Sequence, residues 1–243
     1  MKKYLNIILC FVLFTLLNSC VTQTNVIKSM ENVKKSVLKI ETWGRLGNCD
    51  DKLMSCEKFN LMSTGTGSVV LFSKKKAVLT AAHICVQKES GMLNMPVQYY
   101  FKAVDRANKE YIMEIIKYDV KSDICLLNSV SGPLEPNYIK LSLKSLEYAE
   151  KVYNLGAPMG IIDAEMVPLF YGHFFGISEG DAYFNLPAIG GSSGSPIVNI
   201  RGELVGMVHS VHYRFHHITL SATYRRLWNF LNVEKAHTTQ VRN

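Results

Sequence analysis

The feature that most constrains this chain is a succession of short runs, rich in β-branched and aromatic residues, with no helical period between them. TGSVVLF (66–72), KAVLTAA (76–82), VQYYFKAV (97–104), EYIMEIIKY (110–118), DICLLNS (123–129), EKVYNLG (150–156), MVPLFYGHF (166–174), SPIVNI (195–200) and ELVGMVHSV (203–211) are separated by charged residues or by Gly, Asn and Pro. Such runs suit a pleated, half-buried surface, and the residues between them suit turns. So many strands without intervening helices lead to β-barrels or a sandwich. Helical spacing occurs only at the ends. Val26, Ile27, Met30 and Val33 predict a short helix within 21–35, leading into a strand through Val37, Leu38 and Ile40. Tyr224, Leu227, Trp228 and Leu231 follow the i, i+3, i+4, i+7 pattern behind Ser221 as cap, so an amphipathic helix closes the chain.

The 243 residues, 48% hydrophobic and 19% charged, suffice for one sizeable core or two small barrels. The formal net charge of +7 includes Lys2 and Lys3 of the leader, and its densest run, Lys74-Lys75-Lys76, fits a solvated hairpin tip. With no zinc-knuckle spacing and no phosphate-cradling glycine loop, a nucleic-acid partner is not expected. Residues 1–20, MKKYLNIILCFVLFTLLNSC, have a basic start and an uncharged stretch from Tyr4 to Leu17, shorter than the ~20 residues of a membrane span. They read as a signal peptide. Its end, Leu17-Asn18-Ser19-Cys20, resembles the lipobox of bacterial lipoproteins, which implies lipidation of Cys20, a membrane anchor and a place in the cell envelope. Ordinary cleavage, giving a periplasmic or secreted protein with Cys20 unmodified, is the alternative. Thiols outside the cytoplasm tend to pair. Cys49 and Cys56 flank DDKLMS and are expected to staple a loop, whereas Cys85 and Cys125, in apolar segments, are open between a bridge and two small buried side chains.

The segment AIGGSSGSPIVN (188–199) places three serines in a glycine-rich stretch between apolar residues, as a tight loop entering a buried strand does. VLTAAHIC ends a strand with His83, and SDICLL begins one with Asp123. A serine hydroxyl becomes a nucleophile when an imidazole takes its proton, a carboxylate orients that imidazole, and backbone N–H groups receive the oxyanion. Each part has a candidate, in the order His, Asp, Ser. Here the chain resembles the chymotrypsin-like serine proteases, particularly the bacterial envelope branch of high-temperature-requirement proteases and glutamyl endopeptidases. GTGSVVLFSKKKAVLTAAH (65–83), SDICLL (122–127), VYNLGAPMG (152–160) and GSSGSP (191–196) carry the resemblance. It implies two six-stranded antiparallel β-barrels with a C-terminal helix over 36–232, a tail over 233–243, a polypeptide substrate and no cofactor. In the register of Gly-x-Ser-Gly-x-Pro the nucleophile is Ser193, and Gly191 and Ser193 supply the oxyanion N–H groups. Ser192 stands where digestive relatives carry an aspartate that pairs with a new N-terminus, so activation by that route is not expected. The alternative to a peptidase is a catalytically inactive module of the same fold that binds peptides or a partner.

By the same register Pro187 lies where trypsin-like relatives carry an acid, and the next residue is Ala188. Without a carboxylate, a pocket for Lys or Arg is disfavoured, and small or apolar side chains are expected. GMVHS (206–210) is similar to the Gly-Ile-His of glutamyl endopeptidases, but His209 comes one residue later, which on a strand turns it from the pocket toward Asp123 unless a bulge intervenes. HSVHYRFHH (209–217) invites a metal reading, but 209 and 212 fall on opposite strand faces, as do 216 and 217, and no acid lies nearby; no metal is expected.

Overall fold

The computed structural model describes residues 24–46, 58–86 and 97–233. Strands β1 (Val37–Leu46), β2 (Asn60–Phe72), β3 (Lys75–Thr80), β4 (Val97–Val104), β5 (Glu110–Asp119) and β6 (Ile124–Ser129) close a barrel in the order β1-β2-β3-β6-β5-β4. A second barrel runs β10-β11-β12-β9-β8-β7, from β7 (Lys151–Leu155), β8 (Leu169–Ser178), β9 (Asp181–Phe184), β10 (Pro196–Val198), β11 (Leu204–His212) and β12 (Phe215–Ala222). Helices α1 (24–34), α2 (Ala82–Cys85) and α3 (Tyr224–Asn232) and a 3-10 turn, Pro158–Gly160, complete the described chain. The two-barrel fold expected from the sequence is the fold observed.

Contiguous apolar runs mark strands covered on both faces. β3 buries Ala77 through Thr80, and β6 buries Ile124 through Leu127. One face fills the first barrel and the other meets the second, so Val198, Leu204 and Met207 share a core with Leu79, Leu126 and Leu127. Each such side chain withdrawn from water contributes about 1.5–3 kcal/mol. The interior of the second barrel is a separate cluster around Val152, Phe184, Leu186 and Ile197.

Three details differ from the sequence expectation. β9 and β12 are strands outside the runs named above. β9 has four residues, too few for a period, and β12 buries polar Thr219 and Ser221 where an apolar signal would stand. Both hydroxyls are satisfied, Thr219 Oγ1 donating to the Leu186 carbonyl at 2.6 Å and Ser221 Oγ accepting from Met207 N–H at 2.9 Å. Second, Ser221 therefore belongs to β12, and the cap of α3 is Thr223, whose hydroxyl accepts from Arg226 N–H. The buried face of α3 is Leu227, Phe230 and Leu231, while Trp228 is exposed. Lys117 of β5 holds the end of this helix, donating to the carbonyls of Phe230 and Val233 and lying over the rings of Phe72 and Phe230. Third, α1 forms as expected and buries Met30 and Val33, with Val26 partly buried against the same core, but Ile27 is exposed.

Candidate active site

β3 and β6 are ladder neighbours, with Thr80 opposite Cys125. The pairing sets the residue just before β6, Asp123, beside the helix that follows β3, and α2 carries His83. Asp123 Oδ2 lies 2.6 Å from His83 Nδ1, and its Oδ1 accepts the backbone N–H of His83 at 2.8 Å. Both carboxylate oxygens are thus committed to one histidine, fixing its position and its ring orientation. Burial works against ionisation of Asp123, but the side-chain and backbone hydrogen bonds from His83 outweigh it and hold the carboxyl below the usual aspartate value. The imidazole itself is about half exposed toward the cleft. Cys85 and Cys125 form a disulfide, so of the two readings left open by the sequence the bridge is the one found. Each cysteine lies two residues beyond a member of the His–Asp pair. The bridge therefore ties α2 to β6 at the site.

The three serines of the loop before β10 have separate fates. Ser192 is buried, and its hydroxyl accepts from Ile189 N–H at 3.2 Å. Ser195 is fully buried; its hydroxyl donates to the Ser192 carbonyl at 2.7 Å and accepts from Asn154 Nδ2 at 2.8 Å. Ser193 is half-buried, and among the described residues no hydrogen bond engages its hydroxyl. Its position across the cleft from α2 is set by the backbone. A Cβ built on Gly65 would lie 2.9 Å from the Ile84 side chain and 3.1 Å from the Ser193 carbonyl oxygen, so β2 passes between the two halves with no room for a side chain.

Every carbonyl around Ser193 is anchored. That of Gly190 accepts from Met159 N–H at 2.7 Å, that of Gly191 from Thr66 Oγ1 at 2.8 Å, that of Ser192 from Ser195 N–H at 3.0 Å, and that of Ser193 from Thr66 N–H at 2.7 Å. In a trans peptide the N–H points opposite to the carbonyl of the preceding residue. The anchored carbonyls of Gly190 and Ser192 thereby turn the N–H groups of Gly191 and Ser193 away from Met159 and Ser195, and among the described residues neither N–H has a hydrogen-bond partner. Such donors need water or a ligand. Gly191 has φ +89°, and a Cβ on it would lie 2.6 Å from Met159 N and 2.7 Å from the Ala157 carbonyl oxygen, so the position requires glycine.

Ala188 is buried and Pro187 half-buried, adjoining the Leu186 carbonyl that Thr219 binds. His209 sits at a β-bulge between Val208 and Ser210. Its Nε2 lies 3.5 Å from Asp181 Oδ1, its Nδ1 2.9 Å from Ser210 Oγ, and it feels the charge of Asp123 and His83. Burial, opposed by Asp181 and Asp123, holds the imidazole below the usual histidine value. His212 packs instead on Tyr213 and Phe215. Cys20, Cys49 and Cys56 lie outside the described residues. Sequence reasoning missed Thr66, Asn154 and Met159, which hold the loop. Only the flanking Gly65 and Gly67 signal Thr66, as marks of close approach by neighbouring chain.

Two closed six-stranded barrels, with a His–Asp pair on the first and a serine loop on the second, define the trypsin-like serine peptidase class. A family model described as the trypsin-like peptidase domain matches residues 65–207, and the chain belongs to that family. Among solved structures it is similar to the Rv3671c protease from M. tuberculosis in its active form, with TM-score 0.63 and 17% identity over 86% of this chain and 85% of that one. A serine-to-alanine mutant of the same protease in an inactive form gives 0.62 and 16%, over 88% of this chain and 93% of that one. A serine endoprotease from Yersinia pestis gives 0.61 and 13%, covering 84% of this chain and 64% of that chain. At these identities the likeness concerns the fold. No curated protein sequence matches the chain.

Proposed function

We propose that this protein is an exported serine endopeptidase that cleaves polypeptides through an acyl-enzyme formed on Ser193. The observation that carries the reading is the serine loop. Of three neighbouring hydroxyls only that of Ser193 is uncommitted among the described residues, and the two N–H groups beside it are uncommitted as well. In the proposed reaction Ser193 Oγ attacks the scissile carbonyl carbon while His83 Nε2 takes the hydroxyl proton. Asp123 keeps the His83 proton on Nδ1 and stabilises the imidazolium. The carbonyl oxygen becomes an oxyanion received by the N–H groups of Gly191 and Ser193, and collapse expels the amine, which leaves with the proton from Nε2. Water, deprotonated by the same imidazole, then hydrolyses the ester. Among the described residues the hydroxyl of Ser193 makes no hydrogen bond; in this chemistry the contact with the base tightens on substrate binding.

Small or medium apolar side chains are the proposed preference at the cleaved residue, since Pro187 and Ala188 offer no charge to a cation losing its hydration. Lipidation of Cys20 at the cell envelope is proposed on the lipobox-like LNSC alone. A fluorophosphonate probe reacts with an activated serine and needs no known substrate. Labelling of the wild type and not of Ser193→Ala supports the peptidase. No labelling of folded wild type would favour a silent binding module of the same fold.

A further inference from the structure

We infer that Thr66, on the first barrel, is the positioning residue that holds the oxyanion loop of the second in its receptive shape, an inference that rests on the peptidase reading above. Thr66 is fully buried at the centre of β2, and each of its polar groups is used. Its N–H donates to the Ser193 carbonyl at 2.7 Å. Its hydroxyl donates to the Gly191 carbonyl at 2.8 Å and accepts from Ala157 N–H at 2.9 Å. Its own carbonyl accepts from Thr80 Oγ1 at 2.7 Å. Two of the four anchored carbonyls around Ser193 thus depend on one residue of the opposite barrel. A third depends on it indirectly. Ala157 opens the turn in which Met159 N–H holds the Gly190 carbonyl, so one hydroxyl holds the carbonyls of both peptides flanking Gly191, that of Gly191 directly and that of Gly190, whose peptide carries the Gly191 N–H, through the turn.

The arrangement matters because the loop has little stiffness of its own. Gly190 and Gly191 are adjacent, and glycine rotates at small cost. Without the Thr66 hydroxyl the Gly191 carbonyl and the Ala157 N–H lose a buried partner together, and an unpaired buried carbonyl favours any rotation that recovers one. Rotation about Gly191 would carry the neighbouring N–H groups away from the reacting carbonyl. The oxyanion exists only in the transition state and the tetrahedral intermediate, so the penalty falls on the chemical step and not on binding. The backbone N–H contact to Ser193 survives any substitution, so the effect belongs to the hydroxyl.

Time-resolved labelling with a fluorophosphonate probe separates the maximal rate of adduct formation, kinact, from the probe's reversible affinity, KI. We expect Thr66→Val to lower kinact about tenfold or more, below the 10²–10³ of deleting an oxyanion donor outright, with KI changed less than about twofold. Thr66→Ser, which restores the hydroxyl, recovers most of that loss. Should Thr66→Val fail to fold, Thr66→Ala makes the same comparison without a new methyl group against the buried acceptors. An unchanged kinact in the folded hydroxyl-free variant, or an equal loss in Thr66→Ser, would overturn the inference while leaving the peptidase reading intact. Folded wild type that takes up no label would overturn that reading, and this inference with it.

Discussion

The two halves of the site are held by different forces. On the first barrel, His83 and Asp123 are fixed by side chains: two hydrogen bonds between them, a β3–β6 ladder beneath, and a disulfide two residues beyond each. On the second, Ser193 is fixed by peptide groups: the Gly190 and Ser192 carbonyls are anchored so that the N–H groups of Gly191 and Ser193 point the other way, and the Gly191 and Ser193 carbonyls tie the loop to Thr66. The side-chain half does without glycine even where Asp123 takes a left-handed φ of +50°, whereas the peptide half requires glycine at Gly191 (φ +89°) and Gly194 (φ +86°) and depends on a threonine from across the cleft. The contrast indicates where each half fails. The first is vulnerable to loss of particular side chains, and the second to any change that releases a peptide.

The largest expected effect comes from the reacting atoms. Ser193→Ala should lower turnover by roughly 10⁴–10⁶-fold, whereas Ser192→Ala and Ser195→Ala, which remove committed hydroxyls, lose far less. A Ser195→Ala variant as inactive as Ser193→Ala would break the assignment of the nucleophile. Next comes the peptide half. Gly191→Ala forces a methyl group to within 2.6 Å of Met159 N, and about a 100-fold or greater loss of kcat is expected in a protein that still folds. Near-normal kcat in that variant would remove the Gly191 N–H from the oxyanion site.

Removing the bridge as Cys85→Ala with Cys125→Ala is expected to cost about 2–4 kcal/mol of stability, read from denaturant or thermal unfolding. The His83–Asp123 hydrogen bonds remain, so kcat should fall less than in Gly191→Ala. The reverse order would show that the covalent tie, and not the side-chain hydrogen bonds, holds the first half. The smallest effect concerns pH. His209 has its folded value below the usual histidine value near 6.5, so folding favours its neutral form, and that contribution is complete above this pH and lost as pH falls from there through the lower folded value. Asp123 acts in the same direction at lower pH, because its lowered value gives stability that is lost once the carboxylate protonates. Thermal midpoints should therefore decline with acidification, and His209→Gln should flatten the upper part of the decline. An identical profile in that variant would exclude His209 as its source.

Much of this was legible in the chain because the relevant signals are local. GSSGSP, VLTAAH and SDICLL are contiguous, and the alternating or continuous apolar runs identify ten of the strands in place. The misses have tertiary causes. β12 carries Thr219 and Ser221 in its core, so burial there rests on hydrogen bonds that no hydropathy pattern records. The buried face of α3 includes Phe230 in place of Trp228, because the groove that receives the helix, and not its own periodicity, chooses which side is covered.

By itself the sequence determined which residue types could do chemistry and on what kind of scaffold, since strand propensity, glycine spacing and the order His, Asp, Ser are properties of the chain read linearly. Only the tertiary structure decided whether Cys85 and Cys125 meet and, among the described residues, which serine hydroxyl and which loop N–H groups stay uncommitted. Those depend on hydrogen bonds between residues as far apart as Thr66 and Gly191. A peptide's orientation is set by whichever partner reaches its carbonyl, and for Gly191 that partner comes from the other barrel.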